Sequence, residues 1–102
     1  MKMQSVAIAR EFCDGLLNAE EFSSRFFNAF HVERDSGALV AFDENEILTT
    51  IFCNVDIFNP DNERDDYEID QVTLLKRVKF LLNTLDEKGD ISKASEQVYS
   101  IK

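Results

Sequence analysis

The stretch N-A-E-E-F-S-S-R-F-F-N-A-F, residues 18–30, constrains the fold more than any other part of the chain. Phe22, Phe26 and Phe30 recur at i, i+4 and i+8, which is the repeat of one helical face. Ala19, Phe27 and Ala29 flank that stripe. A face this wide and this aromatic has to be covered by other elements, which predicts a helix buried in a bundle rather than a cofactor-binding surface. Asn18 stands where an N-cap belongs, and Glu21 follows at the return position of a capping box. The helix is expected to fade near His31–Asp35 and to break at Ser36-Gly37.

Three further helices follow from the same periodicity. The first is predicted over Gln4 to Leu17, with Ile8, Phe12 and Leu16 in line, Ala9 beside them and Gly15 weakening its last turn. The third is expected to start behind Asp43 as cap with Glu46 as return partner, carrying Ile47, Leu48, Ile51, Phe52, Val55 and Phe58. Pro60 marks its end, because the residue before proline disfavours helix. The five residues 38–42, A-L-V-A-F, read as a loop that covers the end of the core. The fourth helix is expected behind Asp70 as cap, with Val72, Leu75, Val78, Leu82 and Leu85 on one face and Leu74 and Leu81 beside it. Lys76, Arg77 and Lys79 are placed on its outer side, and Gly89 is its expected terminator. Residues 90–102 form either a short fifth helix starting at Ser92 or a loose tail.

These segments predict an all-α chain: an antiparallel four-helix bundle over residues 1–89, with a C-terminal extension over 90–102. One proline and three glycines in 102 residues are too few for an all-β chain full of tight turns. Phe22, Phe26, Phe30, Ile51, Val55, Val78 and Leu82 are the expected core. Cys13 and Cys53 lie within apolar helical stretches and read as buried free thiols. Met1-Lys2-Met3-Gln4-Ser5 leads into a helix rather than a signal peptide, and no apolar run approaches a membrane span. The expected location is the cytoplasm, with reduced thiols.

The formal net charge is −9, and it is concentrated. Residues 43–70 hold ten acids (Asp43, Glu44, Glu46, Asp56, Asp61, Glu63, Asp65, Asp66, Glu68 and Asp70) against the single base Arg64. Like charges gathered this way repel one another. The block repels nucleic acid and anionic membranes, which bind basic surfaces, and so points to a basic protein as partner. A solvated loop that only aids solubility is the plainer reading. Against it, the acids continue onto the third helix at Asp56 and alternate with Phe58, Pro60 and Tyr67, as in a shaped surface.

Catalytic and metal chemistry finds little support. In an EF-hand reading, Asp61, Glu63 and Asp65 take loop positions 1, 3 and 5, but Asp66 stands where glycine is needed and Val72 where a bidentate glutamate is needed. A di-iron bundle needs paired Glu-x-x-His motifs. The one histidine, His31, has Asn28 three residues before it. Pairing His31 with Cys13 or Cys53 as a nucleophile lacks any orienting third group. No glycine-rich phosphate loop is present. The expectation is a protein that is not an enzyme, with no cofactor, no metal, no small-molecule substrate and no direct contact with nucleic acid.

F-N-P-D-N-E-R-D-D-Y-E-I-D, residues 58–70, followed by the Leu/Val/Lys helix, resembles the immunity protein of colicin D and the related immunity proteins of contact-dependent growth inhibition systems. The shared pattern is Phe58, Pro60, Asp61, an acid at Glu63, Arg64, Tyr67, Glu68, Ile69 and Asp70, with a second match at E-F-S-S-R, Glu21 to Arg25. The resemblance spans roughly residues 5–86. It implies a four-helix bundle that neutralises a cognate tRNA-cleaving nuclease toxin by placing carboxylates in its basic active-site cleft. Asp56, Asp61 and Glu63 are the carried-over candidates, and Asn59 departs from the acid that the family pattern favours there. Asn59, Asp65, Asp66, Tyr67 and Glu68 complete the expected partner-binding surface. The competing readings are an acidic helical adaptor or nucleic-acid-mimicking regulator of another basic protein and, from a third class, a small enzyme dependent on His31 or Cys13.

Overall fold

The computed structural model describes residues 4–37 and 42–102. Its helices are α1 (Gln4–Cys13), α2 (Ala19–Asp35), α3 (Phe42–Asp56), α4 (Gln71–Asp86) and α5 (Ile91–Gln97), followed by a 3₁₀ turn, Val98–Ser100. The fold is all-α. α1 packs on α2 and α4, and α3 packs on α2 and α4, so that four helices surround one core. α5 covers the side formed by α3 and α4.

The aromatic stripe organises that core. Phe22, Phe26 and Phe30 are all buried on α2. Phe12 of α1 stacks on Phe22 with ring centres 4.3 Å apart, and Phe52 of α3 meets Phe30 at 5.1 Å. A continuous run of rings thus crosses three helices, where offset aromatic pairs add to plain burial. The capping box at the head of α2 is complete. The Glu21 backbone N–H donates to Asn18 Oδ1 (2.8 Å), and the Asn18 N–H donates to Glu21 Oε1 (3.2 Å).

Several boundaries and faces differ from the expectation. α1 stops at Cys13 rather than Leu17, because Gly15 adopts φ +81° and the Leu16 N–H reaches back to the Glu11 carbonyl. Glycine takes this left-handed position without steric cost, so it ends the helix outright. Leu16, beyond the stop, is 70% exposed instead of extending the stripe. α3 begins at Phe42, so Asp43 lies inside its first turn rather than at its cap, where its charge still complements the helix dipole. Phe42 itself is exposed. The rest of the expected covering loop, residues 38–41, lies outside the described residues. α3 ends at Asp56, four residues before Pro60. Val55, expected in the core, is half-buried, since it lines an open groove between α2 and the end of α3. Cys53 is exposed and Cys13 half-buried, so neither free thiol is the buried group expected.

Two positions on α4 differ from the expectation. Val72 is exposed, whereas Arg77, expected on the outer side, is only 5% exposed. The tail is ordered as α5 and the 3₁₀ turn, and it buries the Arg77 side of α4. Ile91, Ala94 and Val98 lie in the core. α5 starts at Ile91, with Asp90 as its cap accepting from the Lys93 N–H at 3.0 Å, two residues before Ser92. The turn ending α4 places Lys88, not Gly89, in the left-handed region at φ +53°. The Gly89 N–H then bonds the Thr84 carbonyl at 2.9 Å.

Two polar ties fix helices that the apolar core alone leaves adjustable. Glu33 extends the Phe22–Phe26–Phe30 face of α2 but is an acid, and it is buried. Its carboxylate accepts from the Ser5 backbone N–H (3.0 Å) and from the Ser5 hydroxyl, which satisfies donors in the first turn of α1. The Arg77 guanidinium donates to Asn54 Oδ1 on α3 (2.8 Å), the Ile101 carbonyl (3.0 Å) and the Tyr99 carbonyl (3.2 Å). α3, α4 and the tail therefore meet on a single side chain.

Candidate partner interface

The acidic connector between α3 and α4 has a built base. Phe58 and Ile69 form an isolated parallel β-bridge. The Asn59 N–H donates to the Ile69 carbonyl (3.0 Å), and the Ile69 N–H donates to the Ile57 carbonyl (2.9 Å). Ile69 is buried and Phe58 half-buried, so the apolar residues of the pattern anchor both ends of the loop to the core.

Inside the loop, three side chains serve its own frame. Glu68 Oε1 accepts from the Asp65 N–H (2.9 Å) and from the Asn59 amide (3.2 Å). These donors, the Asp65 backbone first, hold the Glu68 carboxyl below the usual carboxylate range. Asn59 Oδ1 in turn accepts from the Asp61 N–H at 2.9 Å. Arg64, the only base of the block, donates to the Asn59 and Asp61 carbonyls and makes no salt bridge with an acid among the described residues. Asp70 at the far end accepts from the Thr73 N–H (2.9 Å), and that bond lowers its pKa while capping α4.

The remaining candidates face water. Asp61, Glu63, Asp65 and Asp66 are exposed, and Tyr67 is 67% exposed. Asp56 is exposed at the C-terminal end of α3, whose last turn carries no base. A carboxylate there opposes the helix dipole. No acid of the 43–70 block makes a salt bridge among the described residues. Of the eight sequence candidates, six lie on the outer surface, while Asn59 and Glu68 turn into the loop. Asn59 thus holds the loop's shape at the position where the resembled pattern carries an acid.

The tail reaches the same end of the molecule. Tyr99 shares a cleft of about 440 Å³ with Tyr67, Asp66 and Arg64. Sequence reasoning missed this neighbour, and also missed Arg64 as a clasp. The available signal was Arg64 itself, the one base among ten acids. Elsewhere, His31 bonds Arg34 through Nδ1 (2.9 Å) and packs edge-on against Phe27. Burial pushes the Cys13 thiol up to about 11, which keeps it protonated and unreactive at neutral pH. Among the described residues, no group of three or more His, Cys, Asp and Glu side chains is arranged to hold a metal ion. No helix among them is long and apolar enough to cross a membrane.

A family model described as bacterial self-protective colicin-like immunity matches residues 1–85. The chain belongs to that family. No curated protein and no solved structure matches it. Membership makes this an immunity protein, whose target is a toxin protein and whose family acts by inhibition rather than by catalysis. The matched region runs from α1 to the end of α4 and includes the whole acidic loop. α5 and the 3₁₀ turn lie beyond it.

Proposed function

We propose that this immunity protein neutralises a nuclease toxin, of the tRNA-cleaving kind that colicin D-like and contact-dependent inhibition systems carry. In this reading the outward carboxylates of residues 56–68 enter the toxin's basic active-site cleft. The observation that carries the reading is the division of labour within the loop. Asn59, Arg64 and Glu68 satisfy its frame, while Asp56, Asp61, Glu63, Asp65 and Asp66 stand exposed without a cation among the described residues. A surface of this kind bears repulsion when free and loses it on meeting positive charge. Complementary charge raises association rates toward ~10⁸–10⁹ M⁻¹s⁻¹ at low salt. Speed matters for a protein that has to reach the toxin before RNA does. That task places it in the cytoplasm of the toxin-producing cell.

The test uses the toxin protein that co-purifies with this chain from the producing cells. That toxin is expected to cleave RNA, and this protein to inhibit it in competition with RNA. Association should slow as salt rises, because screening shortens the field to about 8 Å at physiological strength. A toxin without RNA-cleaving activity, or inhibition indifferent to RNA concentration, refutes the nuclease-cleft reading and leaves the family assignment standing.

A further inference from the structure

A second surface feature adjoins the start of the acidic loop. α2 passes the C-terminal end of α3 and the start of the loop, and the three enclose a groove of about 430 Å³. Phe27, Val55, Phe58 and Pro60 give it apolar walls. Two carboxylates, Glu20 and Asp56, line it, and both are exposed. Among the described residues neither makes a salt bridge and no basic side chain lines the groove. The Ser23 hydroxyl, also on the lining, is buried without a hydrogen-bond partner among the described residues. Buried hydroxyls are normally paired, so this one stands out on the groove wall.

We infer that this groove receives an arginine side chain of the toxin. The inference rests on the reading that a basic toxin docks at this end of the molecule, and it adds an anchor beside the cleft-filling loop. An arginine has an apolar stem and a cationic head, matching apolar walls with two carboxylates at the rim. Phe27, partly exposed, offers a ring face to a guanidinium. The guanidinium fork engages a carboxylate in two places, which a lysine ammonium cannot do in the same geometry. Asp56 belongs to both features, so it is the hinge between loop and groove. Its position against the negative end of α3 leaves its charge uncomplemented until a cation arrives.

Two measurements test the groove. In the first, N-acetyl-arginine amide at millimolar concentration is titrated while backbone amide resonances are followed. Shifts are expected at Ser23, Ser24, Phe27 and Asp56, and the uncharged isostere N-acetyl-citrulline amide should not produce them. No shifts, equal shifts with both compounds, or shifts confined to residues 61–66 overturn the assignment. In the second, Asn28→Trp fills the groove from an exposed position on α2 and leaves every acid in place. Its circular dichroism should match the unmodified protein, while its Kd for the toxin protein that co-purifies with this chain should rise at least tenfold. An unchanged Kd overturns the anchor. A variant with Asp61→Lys and Glu63→Lys, run in parallel, separates the two ideas. If it loses the toxin while Asn28→Trp keeps it, the groove fails and the loop reading stands; the reverse pattern rejects the loop and keeps the groove.

Discussion

The acidic loop and the Arg77 junction handle charge in opposite ways. At the junction one cation is buried, and its donors reach a side-chain amide and two carbonyls from α3 and the tail. In the loop, carboxylates crowd at the surface and no cation answers them among the described residues. A buried charge has to be satisfied within the molecule, because desolvation would otherwise cost several kcal/mol. An exposed one is satisfied by water and stays available to a partner. The junction is therefore a device of the fold, and the loop, in the proposed reading, is a device of recognition. Substitutions should separate the two cleanly.

The largest effect should appear in the loop and only in binding. Reversing Asp61 and Glu63 to Lys should lower toxin affinity by several kcal/mol, since truncating one side of a buried charge pair costs about 2–5 kcal/mol and reversal costs more. Urea unfolding should be unchanged, because both side chains are exposed and outside the helices. A comparable loss of stability would erase the contrast. At the junction the pattern should invert. Arg77→Ala orphans Asn54 and two carbonyls, and should cost about 3 kcal/mol of stability. Hydrogen exchange should rise first in residues 91–100, which the guanidinium holds down. Binding measured on the folded fraction should stay within a few-fold unless the tail itself meets the toxin, so this variant also reports on Tyr99.

A smaller effect of opposite sign is expected at Lys88. A non-glycine residue in the left-handed region pays about 1 kcal/mol, so Lys88→Gly should raise stability by about that amount in thermal or urea melts. The smallest concerns acid. Glu68 and Asp70 have folded pKa values below their ordinary ones, so their contribution is complete above the ordinary carboxylate range and disappears as pH falls through the folded values. Below about pH 4 the loop should unclasp before the bundle melts. Amide exchange at Asn59, Asp65 and Ile69 should accelerate there while the Phe26 region stays protected. Simultaneous loss in both regions would mean that the loop has no independent frame.

Much of the helical layout was legible because its signals are local. Asn18 with Glu21 and Asp70 with Thr73 lie three residues apart, and the phenylalanines repeat within one helix. Arg77 was illegible for the opposite reason. It shares a face with Leu74 and Leu81, yet its charge beside Lys76 and Lys79 reads as solvent-facing, and only the folded tail buries it. In the sequence Gly15 looks like a weak spot, yet it is a stop, because its φ follows from the turn and not from the residue alone. In the loop, exposure of the acids followed from composition. The inward turn of Asn59 and Glu68 did not, since the partners are nine residues apart and meet only through the Phe58–Ile69 bridge.

That bridge also has an evolutionary consequence. It closes the loop at its base, so that residues 61–67 hang from the bundle as a replaceable cassette. Functional loops on a rigid scaffold tolerate change better than the elements that carry them. Charges in the cassette can be redistributed without disturbing the aromatic core, provided that Asn59, Arg64 and Glu68 keep the frame. An immunity protein built this way can track a drifting toxin by rewriting a short, surface-borne segment while its scaffold is inherited intact.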